Sequence, residues 1–201
     1  MAATDTKFEH LLDTLKRAGA VLRDAEIPFA LGGGVAIWVY GGPETEHDLD
    51  FFVKPEDAER ALQALAENGF RPEKPPEGWL YKAWDSDVLV DLIFEPSGMP
   101  VDDKLLRRSN ELEVNAVRIP VALPKDVLVS KLLALHEHEL DYDQLLEIAR
   151  TVREQIDWED VRLRTAHSPF AKAFFTLIEE LGIVSLNGSA PELVDSRADA
   201  S

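Results

Sequence analysis

The segment from Phe29 to Val53, FALGGGVAIWVYGGPETEHDLDFFV, restricts the fold more than any other stretch of the 201-residue chain. Phe29–Leu31 reads as a short strand, followed by a turn of three glycines, Gly32, Gly33 and Gly34. Val35 to Tyr40 is too apolar for a surface loop and reads as a buried helix, which Gly41–Gly42–Pro43 stops. A polar loop leads to a second strand, Leu49–Val53, with Asp48 and Asp50 at its start. Aspartates at i and i+2 of a strand point to one face, so both can grip one metal site. Glycines let backbone amides approach a phosphate with no side chain in the way. Taken together, the segment is suited to holding a metal–nucleotide complex.

The rest of the chain supplies a setting. Phe8, Leu11, Leu12, Leu15, Ala18 and Leu22 recur at helical spacing, predicting a helix over roughly 5–25. Pro55 opens another, continued by Ala58, Ala61, Leu62, Leu65 and Ala66 and closed by Asn68–Gly69. Strands are expected at Trp79–Trp84 and Val88–Phe94, split by Asp85–Ser86–Asp87, and at Val114–Val121. From Pro124 the pattern turns helical: Asp126–Glu139, Tyr142–Gln155, Trp158–Arg164 and Pro169–Leu181. The expected organisation is a sheet covered by helices over 1–122, a C-terminal helical part over 123–184 packed on it, and a flexible polar tail over 185–201.

Charge and composition narrow the partners. Lys and Arg total 21 against 38 Asp and Glu, a net charge of −17, and no basic run exceeds Arg107–Arg108. Such a surface repels a nucleic-acid backbone unless a local basic patch intervenes. There is no cysteine, which excludes disulfides and thiolate metal sites. MAATDTKFEHLL lacks the basic start and long apolar run of a signal peptide, and no apolar stretch reaches spanning length. A soluble, cytoplasmic protein is expected, with no membrane partner.

Asp-x-Asp alone is a weak signal in an acidic chain, and a solvated strand end would account for it. Here Leu49, Phe51 and Phe52 imply a strand entering a core, where uncompensated carboxylates are costly. Asp91 is the only charge in Val88–Phe94, so it needs a basic partner, hydrogen bonds or a metal. If its strand lies beside that of Asp48 and Asp50, three carboxylates converge, enough for one or two Mg²⁺ ions that also hold a triphosphate. The glycine triplet has a packing explanation too, but the helix after it would present amides to an anion. Residues 35–47, between Gly34 and Asp48, let the chain leave along a helix and return on a neighbouring strand.

Gly-Gly, a short spacer, Asp-hydrophobic-Asp and a later strand aspartate resemble the DNA polymerase β-like nucleotidyltransferase superfamily. Within it, the chain looks most like the AbiEii/Men-type toxin nucleotidyltransferases and their uncharacterised actinobacterial relatives. The likeness covers most of 27–150 and is sharp at Gly33–Gly34, Asp48–Asp50 and Asp91. It implies an α+β fold: a small mixed sheet flanked by helices, joined to a C-terminal helical part. It also implies that Asp48 and Asp50 bind metal, while Asp91 shares a second ion and acts as base toward an incoming hydroxyl. The family's helix lysine and following aspartate correspond to Lys131, which would contact the triphosphate, and Asp141. Departures are Val35 after Gly34 where a serine is usual, Glu44 and Glu46 at basic and threonine positions, and Leu140 and Gln144 flanking Asp141.

Plainer readings exist for several of these residues. Lys131 suits an ordinary helix face. Asp141, with Gln144 three residues on, forms a helix N-cap with a capping-box partner, a role Asp143 could take instead. His47 beside Asp48 reads as a local hydrogen-bond partner, and His136–Glu139 as a solvated helix end. Trp38, Trp79, Trp84 and Trp158 read as core or cleft walls, with Trp79 or Tyr81 on the acceptor side.

The expected activity is metal-dependent transfer of a nucleoside monophosphate from an NTP to an acceptor hydroxyl, releasing pyrophosphate. The toxin relatives imply a tRNA 3′ end as acceptor and a cognate antitoxin as partner. A small molecule, as for aminoglycoside nucleotidyltransferases, or a protein hydroxyl are alternatives, as is a non-catalytic NTP-binding module. A small-molecule enzyme should show an acidic, aromatic-walled pocket, and an RNA modifier a positive patch beside the carboxylates.

Overall fold

The computed structural model describes residues 2–45, 48–138 and 140–185. Glu46, His47, Glu139 and the tail from 186 onward, all weighed above, lie outside the described residues. Among those described, a seven-stranded mixed sheet runs β3-β4-β5-β2-β1-β7-β6. Its strands are β1 (Phe29–Leu31), β2 (Asp48–Val53), β3 (Arg71–Glu73), β4 (Leu80–Asp85), β5 (Val88–Ile93), β6 (Asn110–Val114) and β7 (Val117–Val121). The helices are α1 (Ala2–Asp24), α2 (Gly33–Val39), α3 (Pro55–Glu67), α4 (Asp103–Arg108), α5 (Pro124–Ala134), α6 (Tyr142–Thr151), α7 (Trp158–Arg164) and α8 (Pro169–Glu180).

The apolar periods sort these elements into layers. Leu11, Leu15, Ala18 and Leu22 of α1 and Ala58, Ala61 and Leu65 of α3 are buried, and the two helices contact each other and the β2–β4–β5 part of the sheet. Leu49 and Phe51 of β2 alternate with Asp48, Asp50 and Phe52, so the strand puts hydrocarbon on one face and carboxylates on the other. Asp85, at the end of β4, is buried because Thr14 and Arg17 of α1 donate to its carboxylate, at 2.9 and 2.5 Å. β2 runs antiparallel to β1 and parallel to β5. The helices that follow the sheet pack around α5, which contacts α2, α6, α7 and α8.

The structure redraws three boundaries. Val114–Val121 is not one strand but the turn and second arm of a hairpin. Asn115 (φ 49°) and Ala116 (φ 66°) occupy the left-handed region between the paired Val114 and Val117, a two-residue turn in which a polar Asn is favoured and an Ala is strained. α5 ends at Ala134, not Glu139: Leu135 is already extended (φ −63°, ψ 133°), so His136 follows a helix and does not belong to its last turn. The helix expected over Tyr142–Gln155 stops at Thr151, with a 3₁₀ turn over Arg153–Gln155. β3, β6 and α4 were not foreseen; they are short or largely exposed and carry little apolar period.

One buried ion cluster ties the later helices together. Asp126, in the first turn of α5, is 2% exposed. Arg108 of α4 donates to both its oxygens at 2.6 Å, and Arg164 of α7 donates to Oδ1 at 2.7 Å. Removing one member of such a cluster strands the others' charge away from water. Asp126→Asn is expected to lower unfolding free energy by roughly 3 kcal/mol, read from the urea midpoint.

Candidate active site

Strand register builds the centre of the site. β2 and β5 lie side by side and parallel, with Asp50 opposite Asp91 and Asp48 opposite Leu89. Neighbouring residues in register share a face, so the three aspartates share one. One carboxylate oxygen from each lies within 4.8 Å of the other two, a group able to hold a metal ion. The convergence expected from sequence is therefore present.

The glycine triplet closes one side of this group. Gly32 ends β1 with its N–H donating to the Asp50 carbonyl at 2.7 Å. Gly33 begins α2 at φ +57°, and a Cβ there would overlap the Asp50 carboxylate. A Cβ on Gly32 would come within 2.8 Å of the Phe52 ring, and one on Gly34 within 2.9 Å of Thr45 Oγ1. All three glycines thus have a packing reason, and at Gly33 the packing is against the site itself.

Crowding of negative charge shows in proton affinity. Asp50 is pushed up to about 7, first by burial and then by the Asp48 carboxylate; Asp91 adds to the rise, while Lys131 and Lys82 oppose it. Burial also raises Asp91, and the hydrogen bond and charge of Lys82 offset part of the rise. Hard oxygen donors that repel one another at close range suit a hard divalent cation. The donor set thus fits the metal that the sequence implied.

Lys82 was missed in the sequence. It sits on β4 directly opposite Asp91, and its Nζ lies 3.1 Å from Oδ1 and 3.5 Å from Oδ2. The signal existed: a two-residue turn at Ser86–Asp87 pairs Asp85 with Val88, and counting outward pairs Lys82 with Asp91.

The open face borders a cleft of about 860 Å³. Gly33, Asp50, Phe52, Trp79 and Ile93 form the sheet side, with Glu77 and Glu95 beside them. The helical side carries Lys131, His136, Asp141 and Gln144. Lys131 donates to Gln144 Oε1 at 2.9 Å. Asp141 caps α6, accepting from the Gln144 N–H at 3.2 Å. The capping alternative for Asp141 is thus realised, and it does not join the carboxylate group. Gln144 does not complete a capping box, because its side chain is engaged with Lys131. Tyr81 packs against Phe94 with the rings tilted, 5.0 Å between centroids, instead of lining the cleft.

A mixed sheet flanked by helices, with a glycine turn against Asp-x-Asp and a third aspartate on the adjacent strand, is the arrangement expected of a nucleotidyltransferase. The chain matches the family described as "Uncharacterised nucleotidyltransferase" over residues 2–179 and belongs to it. Similar solved structures agree on the fold. That of ANT(2″)-Ia in complex with adenylyl-2″-tobramycin is 13% identical with a TM-score of 0.58, over 83% of this chain and 97% of that one. The solution structure of the antibiotic-resistance factor ANT(2″)-Ia is 14% identical with a TM-score of 0.57, over 90% and 99%. An antigenic nucleotidyltransferase-like protein from Paracoccidioides brasiliensis is 13% identical with a TM-score of 0.51, over 88% and 89%. No curated protein matches the chain. The protein is an enzyme that transfers nucleotides.

The strain at the site is measurable. Asp50 holds its proton more tightly folded (about 7) than at its ordinary 3.8. Raising the pH through that window therefore removes stability, a few kcal/mol in all, and the loss is complete above the folded value. In EDTA, Asp50→Asn is expected to match wild type near the bottom of the window and to exceed it increasingly toward the top, in urea titrations. Gly33→Ala should lose more stability than Gly41→Ala, by about 1–3 kcal/mol. Both glycines have positive φ, but nothing lies within 4 Å of a Cβ at Gly41.

Proposed function

We propose that this nucleotidyltransferase moves a nucleoside monophosphate from an NTP to a hydroxyl of a small, cationic acceptor. The observation that carries the reading is the convergence of Asp48, Asp50 and Asp91 on one face, with Asp50 lining the cleft. Asp48 and Asp50 would hold Mg²⁺ together with the triphosphate, with Asp91 beside them on the adjacent strand. The bound ion supplies a Lewis acid that neutralises charge on the transferring phosphoryl group.

The chain's own groups do the remaining work. Asp91, whose proton affinity is raised by burial, accepts the proton of the attacking hydroxyl. Lys131 leaves Gln144 for the β- and γ-phosphates and, with the Gly33 and Gly34 amides, neutralises the leaving pyrophosphate. Asp141 acts through the helix end that it caps, because that end sets where Gln144 holds Lys131. An NTP-dependent reaction fits a cytoplasmic protein.

The acceptor follows from the walls of the cleft. Glu77, Glu95 and Asp141 line it with negative charge, and Trp79, 38% exposed, adds an aromatic ring to the lining. Such walls favour an amine-bearing molecule, through ion pairs and cation–π contact, over an RNA end. The net charge of −17 acts in the same direction. The structural relative ANT(2″)-Ia holds an adenylylated tobramycin, which supports this class of acceptor.

The test is a transfer assay with each α-labelled NTP, Mg²⁺, a panel of polyamine-bearing glycosides and, separately, total tRNA. Label is expected on a cationic small molecule and should fall to background with Asp48→Ala. Label on tRNA instead would overturn the small-molecule reading and move the chain to the AbiEii/Men-type branch, with an antitoxin to be sought. NTP binding without any transfer, to these acceptors or to protein hydroxyls, would leave a non-catalytic module.

A further inference from the structure

The carboxylate group meets a cation that belongs to the chain. Lys82 Nζ is within 3.5 Å of both oxygens of Asp91. The contact is not an accident of a long flexible side chain reaching across a surface. β4 and β5 are paired in register for six residues, from Leu80 with Ile93 to Asp85 with Val88, and Lys82 faces Asp91 within that ladder. The Lys82 side chain is three-quarters covered and the Asp91 side chain is 9% exposed, so this is an enclosed pair and not a solvated one. Asp48 and Asp50 are different: neither has a cationic partner within hydrogen-bond distance among the described residues, and both point to the same face.

We propose that Lys82 stands in for the second divalent cation of the site, so that the enzyme loads a single divalent ion, at Asp48 and Asp50. The inference rests on the metal-dependent reading above and specifies how that site is filled. A second ion bound to Asp91 would sit against the Lys82 ammonium, and like charges at that range repel strongly in an enclosed setting. Displacing the ammonium would break an enclosed ion pair whose Lys82 Cα is fixed opposite Asp91 by β4. Lys82 therefore keeps Asp91 oriented and free of metal, facing an incoming hydroxyl. Lys82 is a positioning residue: it touches Asp91 and acts through it. The charges are consistent with this. Three carboxylates and the lysines Lys82 and Lys131 leave a net −1, which one divalent ion converts to +1 before the triphosphate enters.

The experiment counts Mn²⁺ bound to the full chain by electron paramagnetic resonance, with Mn²⁺ alone as the probe. Wild type is expected to bind one Mn²⁺ per chain, Lys82→Arg one, and Lys82→Met two, since removal of the ammonium opens Asp91. Asp48→Asn is expected to bind none, and circular dichroism is used to verify that each variant is folded. Two ions in wild type, or one in folded Lys82→Met, would overturn the role of Lys82 while leaving the metal site intact. No saturable Mn²⁺ binding to wild type would overturn the metal-dependent reading itself, and the role of Lys82 with it.

Discussion

Repulsion among three carboxylates on two adjacent parallel strands is the constraint around which the rest of this structure is arranged. β2 and β5 could not bring Asp50 opposite Asp91 without something to offset the charge. Within the chain, Lys82 answers from β4 and Lys131 from α5. Gly33 answers sterically, since a residue without Cβ, at a φ that glycine adopts freely, lets α2 begin against the Asp50 carboxylate. The hydrocarbon side of the same strands, Leu49, Phe51, Val90 and Leu92, is fully buried and resists the local strain through packing. A site held at cost by a well-packed sheet is a site prepared for its ligand.

The helices after the sheet extend the same logic. α5 carries Asp126 at its start and Lys131 one and a half turns later. The first is clamped by Arg108 and Arg164, and the second reaches the cleft. Because an α-helix is stiff over this length, the clamp at one end fixes where the lysine stands at the other. Gln144, on the helix that Asp141 caps, holds the lysine from the same side of the cleft.

Much of this was legible in the sequence, because the signals were local. The glycine triplet, Asp48, Asp50 and the lone charge at Asp91 stand out against apolar neighbours, and the strand–helix–strand spacing places them together. Family membership and the mixed sheet agree with that reading. What escaped was set by pairing. Lys82 looks like any strand lysine until the hairpin register is counted. The hairpin around Asn115–Ala116 was hidden because Ala116 takes a left-handed conformation without the usual glycine. Helix α5 ends earlier than the sequence implies because His136 and its neighbours carry no stop signal, while the chain turns extended at Leu135. Asp141 carried two meanings at once, and its capping role is visible only once α6 is built.

The two outermost strands of the sheet have a bearing on how the molecule behaves in company. β3 consists of Arg71, Pro72 and Glu73, all exposed, and its central residue has no N–H to offer. β6, at the other end, exposes Glu111 and Glu113. A second chain approaching either border would meet a missing donor or a row of like charges. The sheet is therefore finished at both margins, and crowding alone does not drive its copies to pair strand to strand.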